Sequence, residues 1–141
     1  MGILKKLFGG KDKDEKEAPA PIPEPEPEPE IIQVKEIMPD ELKDRLDNGD
    51  ELVVIDMRQE WEYQSGHIPG ANHMFIQEIP GRINELPKDV DIVFQCWHGN
   101  SSLGASAYLI ENGWDAARVY SLSGGIAGWV QTFGPEGLVG D

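Results

Sequence analysis

Cys96, the single cysteine of this 141-residue chain, is its strongest candidate for chemistry. A run typical of a buried strand, Asp91 to Gln95, ends directly before it, and a helical pattern begins at Leu103. The loop between them consists of Trp97, His98, Gly99, Asn100, Ser101 and Ser102. A loop that leads into a helix N-terminus directs backbone N–H groups and the positive end of the helix dipole towards an anion. We therefore expect a reactive thiolate at Cys96, and its position at this turn disfavours the alternative of a buried structural cysteine.

The same residues exclude several classes of site. A lone cysteine cannot form an intramolecular disulfide or supply the several thiolates of a zinc or iron–sulfur centre, so we expect neither a disulfide nor a cysteine-rich metal centre. Cysteine phosphatases carry an arginine six positions after the cysteine, where it holds phosphate through two hydrogen bonds. Ser102 stands at that position here, which argues against phosphate chemistry.

The chain is acidic, with a formal net charge of -14 from 12 basic and 26 acidic residues. Such a surface repels nucleic-acid backbones, so we expect no nucleic-acid partner. From Ala18 to Glu30 proline alternates with other residues, and the segment ends in Pro-Glu repeats. This composition favours a stiff, solvated spacer, so we predict a disordered tail over 1–30 and one domain over 31–141. Five lysines against eight acidic residues give the tail a net charge of -3, which leaves -11 on the domain.

The start of the tail, Met1 to Phe8, is richer in apolar residues than the rest of it. These residues could share one helical face with Lys5 and Lys6 between them, which would suit weak contact with a membrane surface or a partner. Two turns are too short for a stable helix, so a frayed terminus is the alternative that we favour. No apolar run has the length of a secretory signal or a membrane span. We therefore expect a cytoplasmic protein, and its oligomeric state does not follow from the sequence.

Short apolar runs alternate with helical patterns from Ile31 onward, which is typical of a mostly parallel sheet with helices on both faces. The predicted strands are Ile32 to Val34, Leu52 to Ile55, His73 to Phe75, Asp91 to Gln95 and Arg118 to Ser121. The predicted helices are Asp40 to Leu46, Ile79 to Leu86, Ser102 to Asn112 and Gly125 to Thr132. Asp40 is predicted as an N-cap, and Gly49 and Gly113 as helix stops. The expected fold class is α/β with about five strands, in which ligands bind beyond the carboxyl ends of the strands.

Several motifs resemble those of the rhodanese-like sulfurtransferases. In chain order they are Asp56-Met57-Arg58, then Gly66-His67-Ile68-Pro69-Gly70-Ala71, and finally Gly124-Gly125 with Trp129 four residues on. The loop from Cys96 to Ser102 is most similar to that of a subgroup, the single-domain thiosulfate sulfurtransferases of the glycerol-phosphate operon type. Because the motifs keep the family's order over nearly the whole domain, the chain is identified as a member, and a rhodanese-like fold is expected.

The resemblance implies a sulfurtransferase that needs no metal or organic cofactor. Cys96 would attack the sulfane sulfur of thiosulfate or another donor, sulfite would leave, and a Cys96 persulfide would pass its outer sulfur to a second nucleophile. Loop N–H groups would stabilise the persulfide anion. The acceptor would be cyanide in an assay and a thiol such as glutathione or thioredoxin in a cell.

The resemblance also suggests roles for the residues around Cys96. Trp97, His98, Gly99, Asn100, Ser101, Ser102 and Arg58 would bind substrate. Structural support would come from Asp56, Glu62, His67, Gly124, Gly125 and Trp129. As alternatives, His98 could only shape the loop, Trp97 could only cap the core, and Arg58 could only pair with Asp56. Family loops often carry a cation beside the cysteine and this loop has none, so we expect weak thiosulfate binding that improves with added salt.

Two other functions remain open from the sequence. A persulfide carrier would receive sulfur from a partner enzyme and relay it, and the tail would then serve in docking. A rhodanese-fold module without activity would only bind partners, but the intact cysteine loop argues against this reading.

Overall fold

The computed structural model describes residues 32–140, in which a parallel five-stranded sheet is covered by helices. The strands are β1 (Lys35–Ile37), β2 (Leu52–Asp56), β3 (Asn72–His73), β4 (Asp91–Gln95) and β5 (Val119–Leu122). The helices are α1 (Pro39–Asp47), α2 (Glu60–Ser65), α3 (Ile79–Arg82), α4 (Asn100–Glu111) and α5 (Gly125–Phe133). Short 3-10 turns occupy Ile76–Glu78, Ile83–Glu85, Ala116–Arg118 and Pro135–Gly137. The predicted fold class is confirmed. The predicted tail over 1–30 and its contact segment Met1 to Phe8 lie outside the described residues.

The strand order is β1-β5-β4-β2-β3, so β4 lies in the middle of the sheet. Its partners are β2, in register as Ile55 with Phe94, and β5, in register as Phe94 with Ser121. All strands run the same way, and their carboxyl ends therefore meet at one edge. The residue that follows β4, Cys96, consequently emerges at the centre of that edge, where ligands bind in sheets of this kind.

The core consists of two layers, one on each face of the sheet. On one face Ile92 and Phe94 pack with Leu109 of α4. On the other face Val93 packs with Val54 and with Trp129 of α5. Strands buried on both faces read as continuous apolar runs, which is why β2 and β4 are recognisable in the sequence.

Some predicted elements are wrong in position or extent. The first strand is Lys35–Ile37 rather than Ile32 to Val34, because pairing with Tyr120–Leu122 brings Ile37 into the core. The third is Asn72–His73 rather than His73 to Phe75. The predicted helix Ile79 to Leu86 is helical only to Arg82 and continues as a 3-10 turn, in keeping with the poor helix propensity of Gly81.

Two helix starts also differ from expectation. Asp40 is not an N-cap: Met38 holds that position, and its N–H donates to Glu41 Oε1 at 3.1 Å. Pro39 takes the first helical position, which needs no N–H donor, and this moves Asp40 into the first turn. Helix α2 is not predicted, because it has no fully buried residue and so no apolar face to recognise.

The helix stops at Gly49 and Gly113 are confirmed, since both follow a helix with positive φ angles of 73° and 107°. No helix among residues 32–140 is long and apolar enough to cross a membrane.

Candidate active site

Cys96 follows β4 directly, and its loop leads into the twelve-residue helix α4. Gly99 is the N-cap of α4 with a φ of 95°, a left-handed conformation that favours glycine. Its N–H donates to Cys96 Sγ at 3.2 Å. The first amides of a helix have no acceptor within the helix, and the dipole places partial positive charge there. The sulfur is therefore held at a position that favours an anion.

Two buried serines lie on the inner side of the sulfur. Ser102 Oγ is 3.4 Å from Cys96 Sγ and 2.6 Å from Ser121 Oγ of β5. Both serines are fully buried, and Cys96 is 8% exposed. The Ser102 hydroxyl, expected from the sequence to bind substrate, lies within the core and contacts Cys96 Sγ there. A role for Ser121 is not predicted from the sequence, and the signal that could have found it is a small polar residue in the strand next to β4.

The N-terminus of α5 packs against the backbone of the cysteine loop. The N–H of Ile126 donates to Cys96 O at 2.8 Å, and that of Ala127 donates to Trp97 O at 3.0 Å. A Cβ added to Gly125 would lie 2.5 Å from Cys96 O and 2.6 Å from Trp97 O. Gly125 also has a φ of 60°, so two independent constraints require glycine there.

A cavity of about 290 Å³ opens over the sulfur. Among the predicted binding residues it is lined by Arg58, Trp97, His98, Asn100 and Ser101, whereas Gly99 and Ser102 reach only the sulfur. The cavity is also lined by four residues that are not predicted from the sequence: Met57, Gln59, Phe75 and Ile76. These residues follow β2 and β3, so their position at the carboxyl edge of the sheet is the signal that could have found them.

Arg58 forms a buried ion pair beside the cavity. Its Nε donates to Asp56 Oδ1 at 3.0 Å, its Nη2 donates to Asp56 Oδ2 at 2.7 Å, and Nη2 also donates to Gly66 O at 2.7 Å. The Asp56 side chain is fully buried and that of Arg58 is nearly so. The cation of Arg58 is consequently offset by a carboxylate, and it adds little net positive charge to the cavity.

Trp97 forms the outer wall of the cavity and contacts both Arg58 and Glu62. Its ring lies 5.1 Å from the Arg58 guanidinium, and its indole N–H donates to Glu62 Oε2. The other Glu62 oxygen accepts the N–H of Gln59 at the start of α2. Glu62 thus fixes the orientation of Trp97 and also places a carboxylate on the cavity wall.

The remaining predicted support residues lie away from the sulfur. His67 stacks on Tyr63 with ring centroids 3.9 Å apart, and its Nδ1 lies 2.8 Å from Tyr63 O. Trp129 is buried in the core and donates its indole N–H to Gly137 O. Across residues 32–140 there is no group of three or more metal-ligating side chains.

An apolar groove of about 500 Å³ adjoins the cavity and shares Arg58, Glu62 and Trp97 with it. Its apolar lining includes Ile126, Ala127, Val130 and Leu138. Trp61 borders the groove and is 66% exposed, which is unusual for so large an apolar side chain.

Comparison with known proteins agrees with this arrangement. Residues 38–132 match the family model of the rhodanese-like domain. The chain belongs to the rhodanese-like domain family. This rhodanese-like domain is 36% identical to the thiosulfate sulfurtransferase GlpE of Pseudomonas fluorescens SBW25 over 74% of the chain and 92% of that protein. It is 38% identical to a sulfurtransferase of Allochromatium vinosum over 70% of the chain and 90% of that protein.

Solved structures show the same fold. A rhodanese-like domain protein from Staphylococcus aureus superposes with a TM-score of 0.67 at 30% identity, over 77% of this chain and 99% of that one. The family predicted from the motifs is confirmed.

Proposed function

We propose that this rhodanese-like domain is a thiosulfate sulfurtransferase that carries the transferred sulfur as a persulfide on Cys96. The observation that carries the proposal is the place of Cys96 Sγ, under an open cavity, 3.2 Å from the N–H of Gly99 and at the N-terminus of α4. The names of the relatives from Pseudomonas fluorescens and Allochromatium vinosum support the same reaction class.

The first half-reaction loads the enzyme. The Cys96 thiolate attacks the sulfane sulfur of thiosulfate and forms a new S–S bond. The S–S bond of thiosulfate breaks, and sulfite leaves with the electron pair. Backbone N–H groups at the start of α4, together with Asn100 and Ser101 on the cavity wall, are positioned for the charge of the donor and of the outer persulfide sulfur.

The second half-reaction discharges the enzyme. A thiophilic acceptor, such as cyanide or a thiolate, attacks the outer sulfur of the persulfide. The bond to Cys96 Sγ breaks, the electron pair returns to Sγ, and the thiolate is restored for the next cycle. Both half-reactions pass through a charged sulfur at the same place, so a single set of donors around Sγ serves both.

The charges of the cavity favour weak binding of a dianion. Arg58 is neutralised by Asp56, Glu62 lies on the wall, and no lysine of the described part of the chain lines the cavity. The domain as a whole carries -11. Added salt screens this repulsion, so the Michaelis constant for thiosulfate should fall as ionic strength rises. A steady rise with ionic strength would contradict this reading of the charges.

The apolar groove favours a second candidate, a persulfide carrier that passes sulfur to a protein. Exposed tryptophans are common at protein interfaces, and Trp61 and Trp97 border the groove directly beside the cavity. A carrier of this kind would accept sulfur from a cysteine desulfurase faster than from thiosulfate.

Steady-state kinetics with thiosulfate and cyanide test the proposal. Parallel double-reciprocal lines indicate the two-step transfer, and Cys96→Ala should abolish turnover while Ser106→Ala, which alters a buried hydroxyl further along α4, should retain it. Sequential kinetics, or activity that survives Cys96→Ala, would refute the persulfide route. If thiosulfate gives no turnover but a desulfurase loads the protein, the carrier function is supported instead.

A further inference from the structure

We propose that Ser121 is a positioning residue, which holds the hydroxyl proton of Ser102 on Cys96 Sγ and so favours the thiolate. The proposal starts from a row of three atoms, Cys96 Sγ, Ser102 Oγ and Ser121 Oγ. The first two are 3.4 Å apart and the last two 2.6 Å apart. Ser102 and Ser121 are fully buried, so water does not replace either partner. For its role in turnover this inference rests on the proposed sulfur transfer.

The direction of the hydrogen bonds along this row depends on the charge of the sulfur. When a neutral Cys96 thiol donates to Ser102 Oγ, the Ser102 hydroxyl is left to donate to Ser121 Oγ, because either oxygen of the serine pair can be the donor. A thiolate can only accept, so the Ser102 hydroxyl must turn and donate to Sγ, and the hydroxyl of Ser121 must donate to Ser102. The two hydroxyls therefore reverse together when the thiol ionises.

The surroundings of Ser121 favour the thiolate direction. Within residues 32–140 the side chain of Ser121 has no hydrogen-bond partner except Ser102 Oγ. In the thiol direction Ser121 accepts from Ser102, and its own buried proton has no acceptor, which is costly. In the thiolate direction every hydroxyl proton of the row has an acceptor. The donation from Ser121 also polarises the Ser102 hydroxyl and strengthens its bond to the sulfur.

The same row acts on the bond that breaks during discharge. When the acceptor takes the outer sulfur, Cys96 Sγ leaves as a thiolate and gains negative charge. A Ser102 hydroxyl held on Sγ by Ser121 stabilises that charge as it develops. Ser121 should therefore affect the discharge of the persulfide while leaving the binding of thiosulfate in the outer cavity unchanged.

Alkylation of Cys96 by iodoacetamide at pH 7 tests the inference without sulfur transfer, because the thiolate is the reacting species and the reagent is uncharged. We expect Ser102→Ala to slow alkylation about tenfold and Ser121→Ala about threefold. Arg58, Glu62 and His98 line the same cavity and are unchanged in these variants, as is Asp56, which pairs with Arg58.

Ser106→Ala is the matched control. Ser106 is also fully buried, and its hydroxyl donates to the backbone oxygen of Ser102 at 2.7 Å rather than to the row. It should alkylate at the wild-type rate. A similar slowing in Ser106→Ala and Ser121→Ala would show that loss of any nearby hydroxyl is enough, and it would overturn the inference.

The double variant Ser102→Ala/Ser121→Ala separates positioning from a general structural effect. Without Ser102 the hydroxyl of Ser121 has no route to the sulfur, so the double variant should react like Ser102→Ala alone. Additive slowing would overturn the inference. In single-turnover experiments, Ser121→Ala should slow the reaction of the preformed persulfide with cyanide, while the dissociation constant for thiosulfate stays unchanged. If the protein takes no sulfur from thiosulfate but the alkylation pattern holds, the proposed function fails and the role of Ser121 stands.

Discussion

Replacing Gly125 by alanine should separate the cysteine loop from α5. The new Cβ would lie 2.5 Å from Cys96 O and 2.6 Å from two backbone atoms of Trp97, where the nearest atoms are backbone and cannot turn away. The positive φ of 60° adds a cost of about 1–2 kcal/mol for any L side chain. Overpacking adds roughly 1–3 kcal/mol. We therefore expect a loss of about 3 kcal/mol or more in the free energy of unfolding, a large share of the stability of a small domain.

The displacement of α5 should also disturb the proposed active site. The hydrogen bonds from the N–H groups of Ile126 and Ala127 to the loop would lengthen as α5 moves away. The hydrogen-bond donors around Cys96 Sγ would shift with the loop. A displacement of this kind lowers the turnover number more than it changes substrate binding. Urea unfolding followed by tryptophan fluorescence measures the first effect, and steady-state sulfur transfer measures the second.

Gly104→Ala is the matched control for this experiment. Gly104 lies inside α4, and beyond the backbone of that helix a Cβ added there meets no atom of residues 32–140 within 4 Å. Alanine should stabilise the helix by about 0.5–1 kcal/mol and leave activity unchanged. If Gly125→Ala is as stable and active as the wild type, the close approach of α5 to the loop is not a constraint, and the reasoning is refuted.

Further changes test the charges of the site and the fold. Glu62→Gln retains an acceptor for the indole of Trp97 but removes one negative charge, so kcat/KM for thiosulfate should rise about threefold at low salt; no change at any ionic strength would contradict this. The lysine of Arg58→Lys cannot form both hydrogen bonds to Asp56, so we expect the free energy of unfolding, measured in urea, to fall by about 3 kcal/mol. Equal stability would show that one hydrogen bond suffices. The hydrogen bonds from Arg82 lower the pKa of Glu85, so this pair stabilises the fold at neutral pH and loses its effect as pH falls through the acid range. Because both groups are exposed, Glu85→Gln should change acid unfolding only slightly, and a large change would contradict this.

The sequence predicts the parts of the fold that depend on continuous burial. Strands β2 and β4 are runs of apolar residues because they are covered on both faces, and the loop after β4 therefore could be placed at the centre of the sheet edge. Strand β1 is an edge strand of three residues, and only its pairing with β5 fixes its position. Local pattern contains no information on that pairing, so the prediction fails there.

The residues of the candidate site also differ in whether the sequence alone predicts them. Cys96 and its loop are contiguous in sequence, and their chemistry follows from the turn that they form. The contacts of Trp97 with Glu62 and Arg58, and of Ser102 with Ser121, join residues far apart in the chain. They arise from the register of neighbouring parallel strands, which a single sequence does not specify. The structure therefore places Ser102 within the core and adds Ser121 beside it, while the proposed nucleophile Cys96 lies at the sheet edge where the sequence predicts it.

The central claim is that Cys96 takes a single sulfur atom from thiosulfate, and intact-protein mass spectrometry tests it most directly. After incubation with thiosulfate the protein should be heavier by one sulfur atom, and cyanide should remove it. The Cys96→Ser variant should gain nothing under the same conditions. An unchanged mass in the wild-type protein, or the same gain in Cys96→Ser, would contradict the claim.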